Sequence, residues 1–203
     1  VGPLADVIQS DLGMSSGATG TVTTVPLLMF AAFSLAFGEL GRRRPAGGVM
    51  VLGLSLILVG VVCRSLFGTW GLFLGTAVTG IGITAGNVLL PAIIKARFPG
   101  RIGHLTGAYT AAMSLMSAVA GAVSVPVGDA IGGSLAIWAL LVVAAVLLWL
   151  PFRNVEVDDV SGRVPVSDIL RSGTTWLLAA YMGLQSLIYY SFVAWLSVIA
   201  QSK

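Results

Sequence analysis

Four uncharged polar side chains sit where polar groups are costly. Asn87, Tyr109, Gln185 and Tyr189 all fall inside long apolar runs. An amide or hydroxyl taken out of water is expensive unless it finds a hydrogen-bond partner. Asn87, four residues before Pro91, therefore either bonds a neighbouring helix or faces a water-filled cavity. Gln185 and Tyr189 are four apart and share one helix face, with Ser186 and Tyr190 as a neighbouring pair. Tyr109, Met113 and Met116 fall on roughly one side of another run, a stripe that suits packing as well as a site. These groups can hold a small solute by hydrogen bonds, and no Ser, Cys or metal constellation for a membrane-embedded hydrolase stands beside them. The apolar runs contain no Asp, Glu, Lys or Arg apart from Arg64 near the end of one, where a snorkelling stem is the plain reading. His104 is the single histidine and has no acid or nucleophile in register. The single cysteine, Cys63, has neither a disulfide partner nor metal-ligand neighbours. No catalytic residue, bound metal or cofactor is expected, and the chain does not read as an enzyme.

The elements that must position these residues are set by where charge is missing. The chain has 203 residues, of which 11 are Lys or Arg and 8 are Asp or Glu, and 57% are hydrophobic. Six uncharged stretches lie between the charges: 12–38, 45–63, 65–94, 102–128, 130–152 and 172–202. A helix needs about 20 predominantly apolar residues to cross the hydrocarbon of a bilayer. Spanning segments must satisfy their backbone internally, so they are helices or a closed barrel, and barrel strands would alternate over about 10 residues. These runs do not alternate. The pattern predicts an all-α membrane protein with spans near 15–37, 47–66, 70–94, 104–127, 134–152 and 174–200.

Most basic residues fall in three bands: Arg42, Arg43 and Arg44; Lys95, Arg97 and Arg101; and Arg153, Arg163 and Arg171. The bands occupy every second gap between spans, which is the positive-inside pattern. It predicts cytoplasmic segments at 39–45, 95–103 and 153–172, with the gaps near Ser10, Phe67 and Asp129 outside. Banded charge of this kind does not suit nucleic acid, for which basic residues would gather on one folded face. The expected partners are the lipid bilayer and a small-molecule substrate.

The organisation expected from this pattern is an N-terminal bundle over 1–152, a cytoplasmic linker over 153–173 and a further helix over 174–203 that opens a second bundle. Residues 1–9 read as the outer end of an earlier helix, and the chain does not begin with Met. The pattern thus predicts a fragment of a protein built as two six-helix halves. Within the spans, Gly71 and Gly75, Gly82 and Gly86, and Gly103 and Gly107 form small-x-x-x-small pairs. Ala111, Ser114, Ala118 and Gly121 continue the theme, and such residues let helix backbones approach closely in a bilayer.

The stretch Gly80-Ile-Gly-Ile-Thr-Ala-Gly-Asn-Val-Leu-Leu-Pro-Ala-Ile-Ile-Lys-Ala-Arg-Phe-Pro99 resembles the cyanate and 2-nitroimidazole transporter family of the major facilitator superfamily, at that family's fourth helix. Val1-Gly-Pro-Leu4 resembles the end of its first helix, Thr106-Gly-Ala-Tyr-Thr-Ala-Ala-Met-Ser114 its fifth, and Gly183-Leu-Gln-Ser-Leu-Ile-Tyr-Tyr-Ser-Phe-Val-Ala-Trp-Leu196 its seventh. The resemblance implies a major facilitator-type bundle, here six complete transmembrane helices plus the end of an earlier one. It also implies alternating access around a central cavity, carrying small anions such as cyanate or small polar heterocycles, in the cell membrane. Carried over by position, Asn87, Tyr109, Gln185 and Tyr189 are the cavity candidates. The superfamily's Gly-x-Leu-x-Asp-Arg-x-Gly-Arg loop is shortened here to Gly38-Glu-Leu-Gly-Arg-Arg-Arg-Pro45, in which Glu39, Arg42 and Arg43 would serve the gating role. The rival expectation is a truncated half-bundle or scaffold that transports nothing.

Overall fold

A computed structural model describes residues 16–66, 68–130, 137–157 and 166–201. Its long helices are α1 (Ser16–Arg43), α2 (Ala46–Leu66), α3 (Gly68–Arg97), α4 (Ile102–Ala130), α5 (Ile137–Trp149) and α7 (Gly173–Gln201). A short helix α6 (Val166–Arg171) and 3-10 turns at Pro99–Arg101 and Leu150–Phe152 complete the order. Among the described residues there is no strand. Thr24–Arg43, Ala46–Leu66, Gly68–Arg97 and Pro99–Val123 are long and apolar enough to cross a membrane, whereas Trp138–Phe152 is shorter. Residues 131–136, which were expected to begin the span near 134–152, lie outside the described residues, as do the expected helix end over 1–9 and the outer gap at Ser10 and Phe67.

The chain divides into two units, Val1–Asp158 and Asp159–Lys203. In the first, α3 is the central helix. Its seam with α2 is made of glycine: Gly53 of α2 meets Ala85 and the Gly82 carbonyl, and Gly60 meets Thr79 and Gly75. A Cβ on Gly75 would lie 2.6 Å from Arg64 Cγ, and one on Gly82 would lie 2.7 Å from Ile57 Cγ1. Lipid tails are as apolar as leucine, so helices in a bilayer gain little from burying hydrophobic surface. Backbone-to-backbone contact of this kind is what holds them. A second face of α3 carries α1, where a Cβ on Gly80 would lie 2.8 Å from Pro26 Cα and Gly41 abuts Leu89. Two hydroxyls inside α3 bond back along the helix, Thr79 to Gly75 O and Thr84 to Gly80 O, each at 2.8 Å, whereas the buried Thr76 hydroxyl has no partner among the described residues.

The contacts of Gly80 with Pro26 and of Leu89 with Gly41 run in the same order, so α1 and α3 are parallel and α2 is antiparallel to both. Arg42, Arg43, Arg44, Lys95, Arg97 and Arg101 therefore gather at one end of the bundle, all exposed. This basic end also holds the core: Phe37, Val49, Met50, Leu89 and Ile93 are buried, with Trp149, Val155 and Val157 packed against them. At the opposite end α2 turns into α3 through Gly68, whose φ of 55° is left-handed and costs glycine nothing. The flanks are openly apolar; Trp70 is 86% exposed and Leu35 69%, surfaces that suit lipid and not water.

One expectation is corrected. The 39–45 segment is not a loop: α1 runs on to Arg43, and only Arg44 and Pro45 turn the chain. Glu39 pairs with Arg42 and with Arg43 (2.6 Å) at i+3 and i+4, which suits a helical last turn, and the two cations face the negative end of the helix dipole. Within the segment expected as the 153–173 linker lies the short helix α6, with Asp168 in its first turn and Arg171 in its last. On α4, nothing among the described residues lies within 4 Å of a Cβ placed on Gly103, Gly107 or Gly121.

The second unit is a helical corner. The Trp176 indole donates to Leu170 O at 2.8 Å and ties the start of α7 to α6. Every residue of α7 from Trp176 to Ile188 is exposed within its unit.

Candidate functional site

A cavity of about 470 Å³ opens in the first unit between α2, α3, α4 and α5. That volume falls within the roughly 300–1,000 Å³ of small-molecule sites. Met50, Leu54 and Ile57 form the α2 wall; Ala145, Leu148 and Trp149 form the α5 wall. From α3 come Ile83, Gly86, Asn87, Leu90 and Pro91, and from α4 Tyr109 and Met113. Gly86 has no atom near its missing side chain, so at that point the wall is backbone and the cavity is wide.

Polar groups in this lining are sparse and close in sequence. Asn87 is exposed to the cavity, and Tyr109 is half-buried. Pro91 adds a third polar group. In a helix the carbonyl of residue 87 bonds the N–H of residue 91, and proline has none. Asn87 therefore brings both a side-chain amide and a backbone carbonyl without its i+4 donor to the same turn of α3. Together with the Tyr109 hydroxyl they offer donors and acceptors against an otherwise apolar lining. This arrangement can orient a small solute with one polar edge.

Of the sequence-derived candidates, the structure brings Asn87 and Tyr109 to one cavity, with Met113 between α3 and α5. Gln185 lies on α7 in the second unit, exposed there. Tyr189 follows one turn later on the same helix, but its side chain lies outside the described residues, as does that of Trp195. Glu39, Arg42 and Arg43 form their own cluster at the end of α1.

Arg64 is half-buried near the end of α2, its stem lies over Gly75, and its buried Nε has no hydrogen-bond partner among the described residues. The groove left by a glycine has room for a stem that a larger residue would have pushed into the interface. Among the described residues no group of three or more His, Cys, Asp or Glu is placed to hold a metal ion.

Trp149 was not singled out from the sequence. As an aromatic at the end of an apolar run it reads as a membrane-interface anchor. Only the fold shows that its ring faces the cavity and that its Nε1 donates to Gly47 O at 3.2 Å.

The profile of the Major Facilitator Superfamily matches residues 1–203. The chain is 38% identical over 207 residues to an uncharacterized transporter, YycB, of Bacillus subtilis (strain 168), covering 100% of this chain and 52% of that protein. It is 37% identical over 203 residues to the 2-nitroimidazole transporter of Escherichia coli (strain K12), covering 97% of this chain and 52% of the relative. With the cyanate transport protein CynX of Escherichia coli (strain K12) it shares 29% over 202 residues, again 97% and 52%. The chain thus spans about half the length of the curated relatives it matches. No solved structure matches it significantly. A helical bundle with apolar flanks, a family profile over its whole length and three relatives named for transport place it among multi-pass membrane proteins. The chain belongs to the Major Facilitator Superfamily.

Proposed function

We propose that this chain is part of a secondary transporter that moves small solutes across the cell membrane by alternating access. Its first unit would be the N-terminal bundle, and α7 would open the second. The observation that carries the reading is the cavity itself: a small-molecule volume in an apolar bundle, with Asn87 and Tyr109 as its polar side chains. The relatives' names supply the solute class, small anions such as cyanate or small polar heterocycles such as nitroimidazoles. Gln185 and Tyr189 are proposed as the second unit's contribution to the path, because they share a face in an otherwise apolar helix. The Glu39–Arg42–Arg43 cluster is proposed to stabilise one of the two states of the transporter, and the basic end of the bundle is proposed to be cytoplasmic.

The test is uptake of labelled cyanate and of a 2-nitroimidazole by cells lacking their own transporters and expressing the full-length protein. Saturable uptake of either, weakened by Asn87→Ala, supports the reading. Uptake of neither above the vector control, with the protein present in the membrane, defeats it.

A further inference from the structure

We propose that Trp149 sets access to the cavity at its basic end, and that the Phe152–Val157 strap holds it in place through Gly47. The inference rests on reading the cavity as part of a transport path. Trp149 is half-buried in the cavity wall, and its indole N–H donates to Gly47 O at 3.2 Å. The N–H of the same glycine donates to Val155 O at 2.9 Å. Gly47 lies in the first turn of α2, where backbone N–H groups have no helical acceptor. The strap supplies the acceptor, and the tryptophan uses the carbonyl.

The fit at this point is close. Gly47 is buried against the Phe152 carbonyl, and a Cβ there would lie 2.9 Å from the Phe152 carbonyl carbon. The Trp149 and Phe152 rings meet at 5.9 Å with a 50° tilt. Val155 and Val157 are half-buried against the core cluster of Met50, Leu89 and Ile93.

These contacts form one latch and not several independent ones. An indole N–H in an apolar wall needs a partner, and Gly47 O fixes the ring's orientation across the cavity. Lifting the strap removes the acceptor for Gly47 N–H and loosens the α2 start whose carbonyl Trp149 uses, so losing the first bond unseats the second. The strap follows α5 directly after the Trp149–Phe152 ring pair.

The test is thiol labelling in membrane vesicles of each orientation, with the full-length protein carrying Cys63→Ser and a reporter, Ala145→Cys, in the cavity wall. The probe is a membrane-impermeant maleimide. Trp149→Phe keeps the ring and removes the donor; from one face of the membrane it should raise the labelling rate about five- to tenfold, the factor set by one net hydrogen bond. Gly47→Ala, which pushes the strap away, should raise it at least as much. The double variant should not exceed the larger single effect, because both act on one latch. Unchanged labelling in both single variants overturns the proposal. So does an equal rise for a reporter at Thr69→Cys, at the far end of the bundle, since that reports general loosening. Labelling needs no substrate, so the outcomes separate: uptake without latch effects sinks the latch alone, whereas no uptake by the unmodified protein sinks the transport reading and leaves the labelling result standing.

Discussion

At the scale of single residues, the cavity works by contrast. Two polar side chains, Asn87 and Tyr109, stand in an otherwise apolar lining, so each carries a large share of any orienting force on a solute. Asn87→Ala is expected to raise the KM for uptake about five- to tenfold, since a net hydrogen bond is worth about 1 kcal/mol. Tyr109→Phe should do the same to a smaller extent, because the half-buried ring keeps its packing. A KM unchanged in both variants would show that the solute does not pass these groups.

Asn87 stands out in the sequence because an amide in an apolar run is conspicuous, whereas Tyr109, in a stripe that reads first as packing, becomes a candidate only through the family resemblance. The freed carbonyl was implicit in the four-residue spacing from Asn87 to Pro91. Trp149 was not legible: its role depends on Gly47, 102 positions away, and no local pattern records that contact.

Among the elements, the α2–α3 seam fixes the frame against which the cavity is built. Replacing Gly82 with leucine would drive a side chain into Gly53 and Ile57, a misfit expected to cost about 3 kcal/mol or more. The expected outcome is a large fall in the thermal midpoint of the purified protein, or its loss from the membrane. Gly100→Ala, where a Cβ meets nothing, should leave the midpoint unchanged. If both behave alike, the seam is not what holds the pair. Pro91→Ala should act in the opposite direction. It restores the α3 hydrogen bond, stabilising the helix by about 1 kcal/mol, and weakens uptake by capping the Asn87 carbonyl. A midpoint that rises without any change in uptake would assign Pro91 to helix shape alone.

The charge bands located most helix ends to within a few residues. They misplaced the end of α1, because Glu39, Arg42 and Arg43 read as a charged turn when counted and as a helical last turn when paired. The glycine pattern showed that helices would pack closely, but not which glycines would meet. Gly75 and Gly82 do, whereas Gly103 and Gly107 do not, and periodicity is the same in both cases.

For the whole molecule, the proposed path needs both units. Gln185→Ala in the full-length protein should lower uptake while leaving the thermal midpoint of the first unit's bundle unchanged, since Gln185 is exposed on α7. Uptake and KM equal to those of the unmodified protein would remove α7 from the path. Family membership was readable in the fourth-helix and seventh-helix segments before any coordinates. The cavity's location between α2, α3, α4 and α5 was not, because it depends on which side of each helix is left unfilled.

The glycine seam also bears on temperature. An ordinary protein core is held largely by expelling water, a force that fades on cooling. The α2–α3 contact is carried by backbone atoms touching backbone atoms, with Gly53 against Ala85 and the Gly82 carbonyl, and Gly60 against Gly75 and Thr79. Its attraction is dispersion, summed over many close pairs, and involves no hydration shell that must be released. The pair should therefore hold its geometry in the cold, and chilling would be expected to leave this part of the frame intact.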